Sequence, residues 1–100
     1  MGILGSDIRT VVVACDAGMG SSVMVAAQLA KRLKPYDVSV KHTPVNDIPA
    51  DAQLVLCQAG LVDRARAGST ATVIGFHSFL GDPVFDRVER AIRNGEPLAD

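Results

Sequence analysis

The sequence predicts an α/β domain: a single four-stranded parallel sheet, strand order 2-1-3-4, with helices on both faces. Three observations carry this reading. Arg9-Thr10-Val11-Val12-Val13-Ala14 is an almost unbroken β-branched run, the pattern of a strand covered on both faces. Two further runs, Ala52-Gln53-Leu54-Val55-Leu56-Cys57 and Thr70-Ala71-Thr72-Val73-Ile74-Gly75-Phe76, have the same buried character. Segments of helical periodicity lie between or beside these runs, and right-handed crossovers then favour a doubly wound parallel sheet. At 100 residues, 48% of them hydrophobic, the chain is one domain's worth and too apolar for disorder. Residues 1–100 are read as a single domain with its core over about residues 8–94.

The elements follow in order. After the first strand comes a Gly- and Ser-rich loop, Cys15 to Ser22, and then a helix. Its expected buried stripe is Val23, Ala26, Ala27, Ala30 and Leu33, with Gln28, Lys31 and Arg32 opposite and Pro35 as the stop. Val38-Ser39-Val40-Lys41-His42 alternates apolar and polar residues, as a half-exposed edge strand does. Thr43 to Asp51, with two prolines, reads as a loop, too short for a full helix but long enough to cross over. The third strand turns at Gln58-Ala59-Gly60 into a short helix around Leu61–Ala67, ended by Gly68. After the fourth strand, Asp82-Pro83 starts the last helix, Asp at the N-cap and Pro at the first position. Val84, Phe85, Val88, Ala91 and Ile92 form its expected buried stripe, and Asn94-Gly95 ends it.

Charge and composition exclude several functions. Ten basic residues against eleven acidic ones leave no basic face for counterion release, so nucleic acid is not the expected partner. Aromatics at 4% with no Trp leave little for base stacking. The charge-free stretches Ala17–Ala30 and Ala67–Gly81 are shorter than the roughly 18 residues that cross a bilayer. No apolar run follows a basic start, so no signal peptide is expected, and Met1-Gly2-Ile3-Leu4-Gly5-Ser6 fits the myristoylation pattern only formally. Two cysteines, Cys15 and Cys57, point to a reducing cytoplasm rather than a disulfide scaffold. Two His and two Cys without ligand spacing give no metal site, and no cofactor is expected.

Chemistry concentrates in Cys15-Asp16-Ala17-Gly18-Met19-Gly20-Ser21-Ser22. Two glycines let backbone N–H groups turn inward, and Ser21 or Ser22 can cap the helix that follows. The expected product is an anion nest at a positive helix end, with a Cys at its mouth whose thiolate is favoured. The plainer reading is a small core Cys before a turn that binds nothing. A nucleotide P-loop is excluded because no Lys occurs between Cys15 and Ala30, and a dinucleotide fingerprint fails at Val23. Low-molecular-weight phosphatases and arsenate reductases are an alternative, using a Cys, five residues and an Arg that clamps phosphoryl oxygens, with an acid from an Asp-Pro pair. Here Ser21 stands where the Arg should be, and capping accounts for Asp82-Pro83.

The eight residues Cys15 to Ser22 resemble the phosphorylation loop of the IIB component of the bacterial sugar phosphotransferase system, mannitol type. The resemblance runs over about residues 8–94 and implies a four-stranded parallel sheet with flanking helices. It also implies a phosphocarrier. Cys15 would take a phosphoryl group from a phosphohistidine on IIA, itself charged through HPr from phosphoenolpyruvate, and pass it to a sugar bound by the membrane IIC component. Membrane contact would come only through IIC. A loop with N–H donors but no Arg and no positioned base would hold phosphocysteine and hydrolyse it poorly. Mannitol-type relatives carry His-Arg-Asp where this chain has Gln58-Ala59-Gly60, and Thr-Asn where it has His77-Ser78. A regulatory module with the same loop is a further alternative.

Four residues near this loop have plain readings beside functional ones. His42 is read as a solvated residue ending an edge strand. His77, at the carboxyl end of strand four, is read as a rim or capping residue, with contact to the phosphoryl group or a partner as the alternative. Arg64 and Arg66 are read as a solvated face able to help dock an acidic partner. Cys57 is read as a small residue finishing a buried strand. Because strands one and three are expected neighbours about 4.8 Å apart, a Cys15–Cys57 disulfide under oxidation is the alternative for Cys57.

Overall fold

A computed structural model describes residues 2–15, 21–77 and 82–99, with residues 21 and 22 described for their backbone only. Four strands form the central sheet: β2 (Thr10–Cys15), β3 (Ser39–Pro44), β4 (Leu54–Gln58) and β5 (Thr72–Phe76). All three pairings are parallel, and the order is β3-β2-β4-β5. The hydrophobic run that predicts the first strand is the middle of this sheet, and Val11, Val12 and Val13 are wholly buried.

Helices cover both faces. On one lie α1 (Ser21–Leu33) and α3 (Pro83–Asn94), whose Leu29, Leu33, Phe85 and Val88 pack on Val11, Val13, Leu54, Leu56 and Phe76. On the other lies α2 (Val62–Ala67), whose Ala65 joins Val12, Ala14, Val55, Cys57 and Val73 in a smaller cluster. Alternation along β2 sends successive side chains to opposite faces, which is why the two clusters divide its residues so cleanly. Short 3-10 turns precede or follow several elements, among them Val45–Asp47 after β3 and Ala59–Leu61 before α2.

The termini depart from the expected architecture. A strand β1 (Gly2–Leu4) precedes the central sheet and pairs antiparallel with β6 (Pro97–Ala99) in a second, two-stranded sheet. The expected single sheet, numbered 2-1-3-4, is corrected accordingly: one strand comes earlier in the chain, and one sheet becomes two. Strands of three residues carry too little periodicity to be read, and Pro97 argues locally against a strand.

The stripe of α1 is also corrected. Its buried residues are Val25, Ala26, Leu29 and Leu33, whereas Val23 is 53% exposed and Ala27 is exposed. This helix is apolar almost all round at its start, so two stripes fit the same period, and the one that buries the larger Leu29 prevails. On α3 the expected stripe is observed, with Val84 only partly buried. Asp82 caps α3, its side chain accepting from the Val84 N–H at 2.9 Å. Gly95 ends it with φ +70°, left-handed backbone that glycine adopts without a Cβ penalty.

Candidate functional site

Cys15 is the last residue of the central strand β2, at the carboxyl end of the sheet, where ligands of such folds sit. It is buried. Helix α1 begins at Ser21, so residues 16–20 connect the thiol-bearing strand end to a helix N-terminus. The candidate loop residues Asp16, Ala17, Gly18, Met19 and Gly20 lie outside the described residues, as do the side chains of Ser21 and Ser22.

The contact that sequence reading missed is on the neighbouring strand. His42 Nε2 lies 3.0 Å from Cys15 Sγ, a hydrogen bond whose direction depends on the imidazole tautomer. His42 is exposed, as expected, but it is not merely solvated. The parallel register explains the approach: Val13 pairs with His42 and Cys15 with Pro44, so His42 and Cys15 share a face two residues apart on the diagonal. The expected strand order already placed these strands side by side. Which residue of strand two reaches Cys15 depends on register, and nothing in the local sequence states it.

Cys57 is wholly buried, and its backbone pairs with Ala14. Ala14 and Cys57 therefore point to the α2 face, while alternation points Cys15 to the other. This is the small residue finishing a buried strand that the sequence suggests; the alternative, a rim residue within disulfide reach of Cys15, does not fit, because the two side chains leave opposite faces of the sheet, and both cysteines are free. Burial pushes the Cys57 thiol up from 9.0 to about 11, with Arg66 opposing the shift, so it stays protonated at neutral pH.

His77 is exposed and follows β5 directly. Its backbone N–H donates to Asp82 Oδ2 at 2.8 Å, while Asp82 Oδ1 takes the Val84 N–H. The Asp82 carboxylate thus ties the end of β5 to the start of α3 and is itself buried. This is the capping role the Asp-Pro pair suggests, with a second donor that the sequence did not disclose. Arg64 donates to Asn46 Oδ1 at 3.4 Å, linking α2 to the turn after β3. Gln58 ends β4 and is half-buried, and Ala59 and Gly60 open the turn that follows it.

A thiol at a strand end, followed within a few residues by a helix and touched by an imidazole, can act as a nucleophile toward an anionic group. Among the described residues, no three His, Cys, Asp or Glu side chains gather as metal ligands would, and no helix is long and apolar enough to cross a membrane.

Comparison with known proteins bears on the same residues. Residues 10–88 match the family described as "PTS system, Lactose/Cellobiose specific IIB subunit". The chain is 40% identical over 84 residues to the PTS system mannitol-specific EIICB component of Bacillus subtilis (strain 168), an alignment covering 81% of this chain and 18% of that protein. It is 42% identical over 87 residues to the protein of the same name from Staphylococcus saprophyticus subsp. saprophyticus, covering 83% of this chain and 17% of that one. Against the Staphylococcus aureus (strain COL) protein the identity is 40% over 87 residues, with the same coverage of 83% and 17%. The chain thus spans less than a fifth of the length of these relatives. The family match begins at the first residue of β2, passes through Cys15 and its loop, and ends within α3: the chain belongs to the phosphotransferase-system IIB family.

Proposed function

We propose that this chain is a phosphocarrier of a sugar phosphotransferase system, acting over residues 1–100 as one IIB unit in the cytoplasm. Cys15 accepts a phosphoryl group from a phosphohistidine of IIA and donates it to a sugar bound by a membrane IIC component. The observation that carries this reading is the position of Cys15, at the carboxyl end of the central strand and immediately before the segment that leads into α1. Backbone N–H groups of Asp16 to Ser22 then neutralise the phosphoryl oxygens, and positioning does most of what phosphoryl transfer requires.

Mannitol, or a related sugar, is the proposed acceptor, in keeping with the mannitol-specific relatives above. Hydrolytic enzyme chemistry is disfavoured on two counts. Ser21 occupies the position of the phosphatase Arg, and both oxygens of Asp82, the acid such an enzyme would need, are engaged by backbone N–H groups.

The test couples the purified chain to phosphoenolpyruvate, enzyme I, HPr and a mannitol-type IIA, then adds membrane vesicles bearing a mannitol IIC. Mannitol phosphate that appears only when the chain is present is the expected result. Release of inorganic phosphate in place of sugar phosphate would point to a hydrolase, and labelled chain that never discharges to a sugar would point to a regulatory module.

A further inference from the structure

The Cys15–His42 contact is unusual in its surroundings. The ring is exposed and so in proton exchange with solvent, while the sulfur it touches is buried. Lys41 and Thr43, the neighbours of His42 along β3, alternate to the other face of the sheet. Across the sheet on the opposite side of Cys15, the strand ends in Gln58, an amide that exchanges no proton. Among the described residues, His42 is therefore the titratable side chain placed to change the charge of this sulfur. A thiol is a poor nucleophile and the thiolate a good one, so whatever receives the thiol proton governs the reactivity of Cys15.

We propose that His42 is a catalytic residue of the domain: Nε2 accepts the thiol proton of Cys15 as the sulfur attacks phosphorus, and the resulting N–H holds the sulfur when the phosphoryl group later departs. The proposal rests on the reading of Cys15 as the phosphoryl acceptor. In the accepting step the S–P bond forms and the P–N bond of a phosphohistidine-bearing donor protein breaks, its electron pair remaining on the donor's ring nitrogen. That nitrogen takes a proton from solvent, and the exposed ring of His42 releases its Nδ1 proton to solvent while keeping the thiol proton on Nε2, so the exchange is neutral in protons. In the donating step the P–O bond to a sugar hydroxyl forms as the S–P bond breaks, the hydroxyl proton passing to solvent and the electron pair remaining on the sulfur beside the Nε2–H. The imidazole supplies what a loop of backbone N–H groups cannot, since amides stabilise an anion without removing a proton.

The test compares the full chain with His42→Gln and His42→Ala in two assays at neutral pH. Peptide mapping follows alkylation of Cys15 by iodoacetamide, which requires no partner protein. Rapid quench follows phosphate acceptance from phosphorylated IIA. Both variants are expected to alkylate Cys15 on the order of tenfold more slowly or worse, and to accept phosphate on the order of 100-fold more slowly, with the same endpoint and an unchanged melting temperature. Wild-type rates of acceptance in either variant would overturn the proposal, including in His42→Gln alone, because its amide can hydrogen-bond sulfur but cannot take the proton. Alkylation at the wild-type rate in both variants would overturn it too. A wild-type chain that accepts no phosphate would defeat the phosphocarrier reading instead, while the alkylation arm still decides whether His42 activates Cys15.

Discussion

Replacing Asp82 by Ala removes two hydrogen bonds from one buried carboxylate. Oδ1 accepts from the Val84 N–H at 2.9 Å and Oδ2 from the His77 N–H at 2.8 Å, so β5 and α3 lose their shared anchor. Loss of an N-cap Asp costs about 1 kcal/mol. The second bond, to an N–H that water can partly reach from the exposed His77, adds about 1–1.5 kcal/mol. The sum is about 2–2.5 kcal/mol, or a fall in melting temperature of about 8–20 °C for a domain of this size. Asp82→Asn keeps one acceptor oxygen and should lose about 1 kcal/mol. Urea denaturation at neutral pH, with the slope unchanged, reads both differences. If Asp82→Ala fell within about 0.5 kcal/mol of the wild type, the anchor would be refuted. The same variants separate cap from catalyst: folded Asp82→Asn should accept phosphate at the wild-type rate, and loss of acceptance would make Asp82 a chemical group.

Three further outcomes follow from packing and charge. A Cβ added at Gly75 would lie 2.8 Å from Val62 Cγ2 and 3.1 Å from Ala59 Cα, so Gly75→Ala should destabilise by about 1–3 kcal/mol in thermal unfolding; an unchanged midpoint would mean α2 shifts freely. Burial raises the Cys57 thiol to about 11, so the folded state keeps a proton that the unfolded chain releases near pH 9. Stability from this group is whole below that pH and is lost as pH rises toward 11, so the wild type should lose about 2 kcal/mol more than Cys57→Ala between pH 8 and 11, and parallel pH profiles would refute it. Arg32 bridges α1 to α3 through Asp86 and Glu89, the latter at 2.7 Å. These partly exposed pairs make Arg32→Gln cost only about 0.5–1 kcal/mol, less in high salt, and a salt-independent loss would assign the effect to packing of the side chain.

What the sequence disclosed follows from how each signal is encoded. Strands buried on both faces must be apolar throughout, so Val11 to Ala14 and Leu54 to Cys57 announce themselves, and Asp82, Pro83 and Gly95 mark helix ends by chemistry specific to those positions. Register has no such local code. The approach of His42 to Cys15 arises only when two strands pair, and the divergence of Cys57 from Cys15 only when alternation is counted across that pairing. The rotation of α1 was ambiguous because Val23, Met24, Val25, Ala26 and Ala27 are consecutive apolar residues, and only packing against β2 and β3 selects among them. The segment from Asp16 to Gly20, outside the described residues, carries the most specific sequence signal of the chain.

The most direct test of Cys15 as the phosphoryl acceptor is the site of the phosphate itself. The chain is incubated with phosphoenolpyruvate, enzyme I, HPr and a mannitol-type IIA, and phosphorus NMR and peptide mapping then locate the label. One phosphoryl group on the sulfur of Cys15 in the wild type, and none in Cys15→Ser, is the expected result. Label on His42, His77 or Cys57, or label retained by the Cys15→Ser variant, would contradict it.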